Sequence, residues 1–322
     1  MKTFQTFCSD IAEQVREHLG EGYEVRLRSV RKNNNVTLEG LMIRCGDRNV
    51  VPTIYLDPYY EQYREGRIEE HILEDILKLY EDSREPWKTE PSFDFESIRE
   101  KVFFRLMNLQ RNREELAAMP HIEIGDLAVG FQWSVDTDDC RVGTVRITDE
   151  QADMWGVTTE ELTDLAIKNA ERSAPPVLRS IEDVLLEILD NGELPFGSEE
   201  NEEKARLKET LSNEESRREF PMYVLTNGNS NMGAAALLAL PFLERFREKL
   251  GEDFWILPSS IHEVILIPVS KANDRRKLSD MVREINETQV PLQEFLSDEV
   301  YCYSEFENLM PEDFREKLLA AG

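Results

Sequence analysis

The sequence predicts an α+β protein in which short, mostly antiparallel or mixed sheets are covered by helices. Three features carry that expectation. β-Branched and alternating runs are separated by Asn, Gly and Asp at turn spacing, other segments repeat apolar residues every three or four positions, and toward the C-terminus the two patterns alternate. With 322 residues, 40% of them hydrophobic, the chain holds enough apolar material for one large core or two ordinary ones.

The first helix rests on Phe4, Phe7, Cys8, Ile11, Val15 and Leu19, which fall on one helical face and are followed by the breakers Gly20 and Gly22. Three β-like runs follow, at residues 23–30, 36–44 and 50–56. Asn33-Asn34-Asn35 and Gly46-Asp47 lie between them, so an antiparallel meander is expected. Ile68, Ile72, Leu73, Ile76 and Tyr80 predict a helix over 68–80, ended by Pro86 and Pro91. A further long helix is expected over 95–119, stopping at Pro120.

Strand-like runs then occupy 121–135 and 141–148. In Thr158-Thr159-Glu160-Glu161 the first hydroxyl and the last carboxylate can satisfy each other's exposed backbone donors, so a helix starts there and runs to about residue 170. From 180 to 203 the chain carries acidic residues and no Lys or Arg. Its first part, 181–189, reads as helix and the rest as an exposed connection. The C-terminal block predicts strands at 222–226, 254–257, 263–269 and 300–303, with helices at 234–250 and 277–285. A boundary near Met119 and Pro120 would divide the chain into a helix, meander and helix region (1–119) and an α+β region (120–322). A single intertwined unit is the alternative.

Charge bounds the function classes. There are 65 Asp and Glu against 38 Lys and Arg, a formal net charge of −27. That balance favours solubility and repels nucleic acid and anionic membranes at long range, so neither direct nucleic-acid binding nor membrane association is expected. It also raises an alternative in which the chain imitates DNA by presenting carboxylates to a basic partner. The four cysteines form no C-x-x-C pair, and reduced thiols are expected. The start of the chain lacks the pattern of a signal peptide, and no apolar run reaches membrane-spanning length, so the expected location is cytoplasmic.

Candidate sites are few. The segment from Thr226 through Asn227, Gly228, Asn231 and Met232 to Gly233 lies between a predicted strand and a predicted helix, where backbone amides can cradle an anion. It lacks the Lys and Ser/Thr of a phosphate-binding loop, so a flexible Asn/Gly turn followed by close helix packing is the alternative. The segment Ser259-Ser260-Ile261-His262-Glu263 is the most pointed polar cluster. Ser260, His262 and Glu263 are candidates for catalysis, but a triad needs partners from distant segments. Equally, serine hydroxyls here can pin a bend between two strands. The four histidines occur singly, without metal-ligand spacing, so neither a metal centre nor a cofactor is expected. Against the general acidity, Arg26 and Arg28 share one strand face in a locally basic hairpin with Arg31, Lys32, Arg44 and Arg48. Such a hairpin can take a phosphate or an acidic partner, or dock on acidic helices of the chain itself.

Several runs taken together carry a resemblance: Asn34-Asn35-Val36 with Glu39-Gly40-Leu41, Pro52 to Leu56 with Tyr60-Glu61, Trp155-Gly156-Val157-Thr158, Met222 to Asn227, Leu257 to Glu263, and Leu296-Ser297-Asp298. On these the chain resembles an uncharacterised bacterial family, domain of unknown function 5688, over nearly its whole length. The resemblance implies a whole family member rather than a fragment, and it implies no activity, cofactor or catalytic residue. The function expected from the residues is a non-enzymatic binding or interaction protein with a protein partner. A hydrolase or transferase using the 259–263 region is one alternative, and the acidic DNA mimic is the other.

Overall fold

A run such as Phe4 to Leu19, with its apolar residues on a single face, is stable as a helix only when that face is covered, and the sheet that covers it follows directly in the chain. The computed structural model describes residues 1–46, 53–82, 93–136, 142–191, 201–213, 221–228 and 231–321. They pack as two compact units, residues 1–92 with 136–142, and residues 93–135 with 143–322. The fold is α+β, with short antiparallel sheets covered by helices.

In the first unit, α1 (Phe4–Leu19) starts at Thr3, whose hydroxyl accepts from the Thr6 N–H, and stops at Gly20 in the left-handed region. Strands β1 (Tyr23–Arg31), β2 (Thr37–Cys45) and β3 (Thr53–Tyr55) form the predicted meander, with Val25 opposite Ile43 and Leu41 opposite Ile54. Asn34 and Asn35 make the first turn at φ 58° and 61°, a conformation asparagine tolerates better than most residues. Helices α2 (Asp57–Arg64) and α3 (Glu69–Asp82) follow. Phe7, Ile11 and Val15 of α1 and Ile72, Ile76 and Tyr80 of α3 bury one face of the sheet through Val25, Leu41, Ile43 and Ile54. The second predicted turn includes Asp47, and Pro86 and Pro91 also lie outside the described residues.

The second unit corrects the long helix expected over 95–119. A single helical turn, α4 (Phe95–Ile98), gives way to strand β4 (Val102–Asn108) and then to the short helix α5 (Arg113–Leu116). β4 is almost wholly buried on both faces, so the period-two signature of a half-exposed strand is missing. The strand expected over 121–135 is instead a hairpin, β5 (His121–Ile124) and β6 (Leu127–Asp136), which turns at Gly125 with φ 61°. With β7 (Val142–Arg146) these form a sheet in the order β4-β6-β5, with β7 paired to β6. The β4–β6 pairing spans the Met119–Pro120 position, and the two compact units part at residues 92 and 93.

Helices α6 (Asp149–Trp155) and α7 (Thr159–Ser173) both start with reciprocal capping boxes, Thr148 with Gln151 and Thr158 with Glu161. The second is the one the sequence predicts. Buried Asn169 ties α7 to the start of β4 by donating to the carbonyls of Arg99 and Val102 at 2.8 and 3.0 Å.

After β8 (Pro176–Ser180), α8 (Ile181–Asn191) and α9 (Asn201–Ser212) come β9 (Tyr223–Asn227), α10 (Leu240–Leu250), β10 (Phe254–Leu257), β11 (Val264–Pro268) and α11 (Arg275–Thr288). The chain continues with β12 (Tyr301–Cys302), α12 (Tyr303–Asn308) and α13 (Glu312–Ala320). The helix expected over 234–250 is corrected at its start: residues Gly233–Leu238 form a tight 3₁₀ turn and α10 begins at Leu240. Pro241 is the reason, since proline fits the first turn of a helix and not its interior. The acidic 192–200 stretch lies outside the described residues.

The strands form a five-stranded antiparallel sheet in the order β12-β10-β11-β9-β8. A polar tie joins it to the hairpin turn of the other sheet. Asp126 accepts from the Tyr301 hydroxyl and, at 2.7 Å, from that of Ser297, while Asn108 donates to the Leu296 carbonyl at 2.9 Å. Burial, reinforced by the bond to Asp126, pushes the Tyr301 phenol well above its ordinary pKa, so it stays a donor.

Candidate functional site

Two of the sequence-predicted clusters meet. β9 and β11 pair with Leu225 opposite Val264, which brings the chain leaving β9 against the chain entering β11. The Thr226 hydroxyl donates to the His262 carbonyl at 2.9 Å, the Met232 N–H donates to His262 Nδ1 at 3.3 Å, and the Ala234 N–H donates to the Ile261 carbonyl at 3.2 Å. Within the turn, the Asn227 side-chain amide donates to the Asn231 carbonyl at 2.9 Å, and the Gly228 N–H reaches the Pro175 carbonyl at 3.1 Å. Met232 sits in the left-handed region at φ 51°. Gly233 is required by close approach: a Cβ there would lie 2.0 Å from Thr226 Oγ1 and 2.4 Å from the His262 carbonyl oxygen.

On the other side of this clasp, buried Ser260 accepts from the His262 backbone N–H at 3.0 Å and bridges to Phe295. Bonds from Ile261 N–H to the Glu294 carbonyl and from Leu296 N–H to the Ser259 carbonyl, both 2.9 Å, complete the bend. Because Nδ1 of His262 accepts a backbone N–H, the neutral ring carries its proton on Nε2 and presents a donor edge. Its Nδ1 lone pair is therefore committed and unavailable to a serine hydroxyl. Glu263 reaches solvent, yet partial burial of its carboxyl pushes its pKa up, with His262 and Ser260 pulling the other way. The arrangement locks a turn; chemically it offers the Nε2–H donor and one carboxyl of raised pKa.

The third cluster, Arg26 and Arg28, belongs to the first unit. Even-numbered residues of β1 point away from the core face, and the register places Met42 opposite Arg26, Gly40 opposite Arg28 and Arg44 opposite Glu24. On β3, Thr53 and Tyr55 continue the same face. Lys32 Nζ stands 4.1 Å from the centroid of the Tyr55 ring, a cation–π contact. Arg26 pairs with Glu24 of its own strand and remains 73% exposed along its side chain. Arg28 is exposed and makes no ion pair among the described residues, and Arg44 Nε is buried without an acceptor there. Arg31 turns aside to Asn35 Oδ1 at 2.6 Å, and Arg48 lies outside the described residues.

The thiols of buried Cys8 and half-buried Cys302 are poor nucleophiles. Burial raises Cys8 to about 12, while burial and a hydrogen bond to Asp253 raise Cys302 to about 11. Among the described residues no cluster of three or more His, Cys, Asp and Glu is placed to hold a metal ion, and no helix is long and apolar enough to cross a membrane.

The model of a family of unknown function, DUF5688, matches residues 4–305. The chain belongs to that family. No curated protein and no solved structure matches the chain. The matched range takes in residues 226–233 and 260–263 as well as strands β1 to β3.

Proposed function

We propose that this chain is a non-enzymatic binding protein of the cytoplasm, and that the open face of its first sheet receives an acidic segment of a protein partner. The observation that carries the reading is local charge inversion. In a chain of net charge −27, Arg26, Arg28, Arg44 and Lys32 gather on one sheet face around Met42 and Tyr55, with Glu24 as the counter-charge in its register. Cations around an aromatic and a thioether are the composition of a recognition patch, with apolar contact at its centre and charge at its rim. The surrounding negative field opposes a nucleic acid, whose charge is dense and extended, more than a short acidic peptide segment.

The test uses the full chain and a fluorescein-labelled polyglutamate peptide of about ten residues, with a single-stranded oligonucleotide of equal charge as competitor. Charge reversal of both Arg26→Glu and Arg28→Glu should weaken peptide binding at least ~10-fold, about 1.4 kcal/mol, without altering the thermal midpoint. Peptide binding that survives the double reversal, or an oligonucleotide that binds more tightly than the peptide, would overturn the proposal.

A further inference from the structure

β4 is buried along nearly its whole length, and one of its inward side chains is charged. Arg105 is 4% exposed. Across the sheet it lies opposite Gly130 of β6, which in turn lies opposite His121 of β5, so Arg105 and His121 share a face on either side of a glycine. Among the described residues, the hydrogen bonding of the guanidinium is limited to a long contact from Nη1 to Gln132 Oε1 at 3.5 Å, and its buried Nε has no acceptor. The charged neighbour that acts on it is another cation, Arg146, which pairs with Glu115. Among the described residues no carboxylate pairs with the Arg105 guanidinium. A buried guanidinium with no counter-ion is a strongly unfavourable arrangement unless something supplies the charge.

We propose that Arg105 is the floor of a binding site for a small oxyanion of the phosphate class, with Gln132 and Arg146 beside it. The unpartnered Nε edge is the side a guanidinium offers to two oxygens at once, and phosphate matches that fork. The way in is through the rim, where the side chains of Arg146, Glu115 and His121 are 20%, 21% and 25% exposed. Over Gly130 stand the ends of two pliant side chains, Met107 Sδ and Met119 Cε, each 3.7 Å from where a Cβ would be. Burial, with Arg146 acting in the same direction, pulls the guanidinium down to about 9.

The experiment is thermal unfolding of the full chain, titrated with inorganic phosphate against sodium chloride at matched ionic strength. Wild type should gain a saturable rise of roughly 2–4 °C, as expected for a ligand that binds only the folded state. Arg105→Met, which keeps the length and removes the charge, should match or exceed wild type in chloride and lose the phosphate response. A phosphate response absent from wild type, or equal in R105M, overturns the site. If R105M does not fold, Glu115→Gln decides instead. It keeps Arg105 and removes the Glu115 carboxylate from Arg146, so it should shift half-saturation to lower phosphate, and an unchanged or higher half-saturation point refutes the assignment.

Discussion

Gly233→Ala is the substitution for which the structure sets the most definite expectation. The new Cβ would stand 2.0 Å from Thr226 Oγ1, 2.4 Å from the His262 carbonyl oxygen and 2.8 Å from the Asn227 nitrogen. The last two are backbone atoms and cannot rotate away, so the turn and the start of β11 must separate. Overpacking of this kind costs about 1–3 kcal/mol. The same separation breaks the Thr226–His262 bond at 2.9 Å and the Met232–His262 bond at 3.3 Å, at about 1 kcal/mol each. The sum is about 3–5 kcal/mol. Urea unfolding followed by tryptophan fluorescence reads chiefly the right unit, since Trp133, Trp155 and Trp255, three of the chain's four tryptophans, belong to it. Thr226→Ala alone should cost about 1 kcal/mol, and in the double variant it should rescue only part of the loss, because the contacts to His262 and Asn227 remain. A G233A penalty under about 1 kcal/mol, or full rescue by T226A, would refute the close-approach argument.

Three further expectations concern other parts of the molecule. Asp126→Ala leaves the Tyr301 and Ser297 hydroxyls without their acceptor and should cost about 2–3 kcal/mol; a double-mutant cycle with Tyr301→Phe should return a coupling of about 1 kcal/mol, and zero coupling would dismiss the tie. Asn35, at φ 61°, should accept Gly with little change while Asn35→Val loses about 1–2 kcal/mol in urea unfolding followed by far-ultraviolet circular dichroism, which also reads the first unit. Glu307 has its pKa raised by burial and then by Glu244, with Arg247 opposing. Its contribution to stability is full below the ordinary carboxylate value and is lost as pH rises through its folded value. Glu307→Gln should therefore gain on wild type between acid and neutral pH, and a pH-independent difference would contradict the assignment.

Much of the fold was legible because it rests on local chemistry. The α1 stripe, the Asn33–Asn35 turn and the Thr158–Glu161 capping box each state their structure within a few residues. The β4 error has a physical origin. Val102 to Met107 is interrupted by a single charge, and a strand buried on both faces carries no alternation to separate it from a helix. That lone Arg105 in an apolar run was the one available signal of the oxyanion site, and its lack of a partner becomes visible only once β4, β6 and β7 are assembled. The basic face was half readable: period two puts Arg26 and Arg28 together, whereas Met42, Arg44 and Tyr55 join them through register. The meeting of Met232 with His262 depends on the β9–β11 pairing, which turn residues do not specify.

The tie between Asp126 and Tyr301 spans 175 positions of chain. Loop closure over such a separation delivers its reward late, after both sheets have begun to form. During synthesis the β5–β6 hairpin is therefore expected to wait, with its turn carboxylate unanswered, until Tyr301 has left the ribosome. Arrested chains ending before Tyr301 should leave the hairpin turn open to protease and chains extending past α12 should protect it, so this one carboxylate would act as the signal that the second unit has closed.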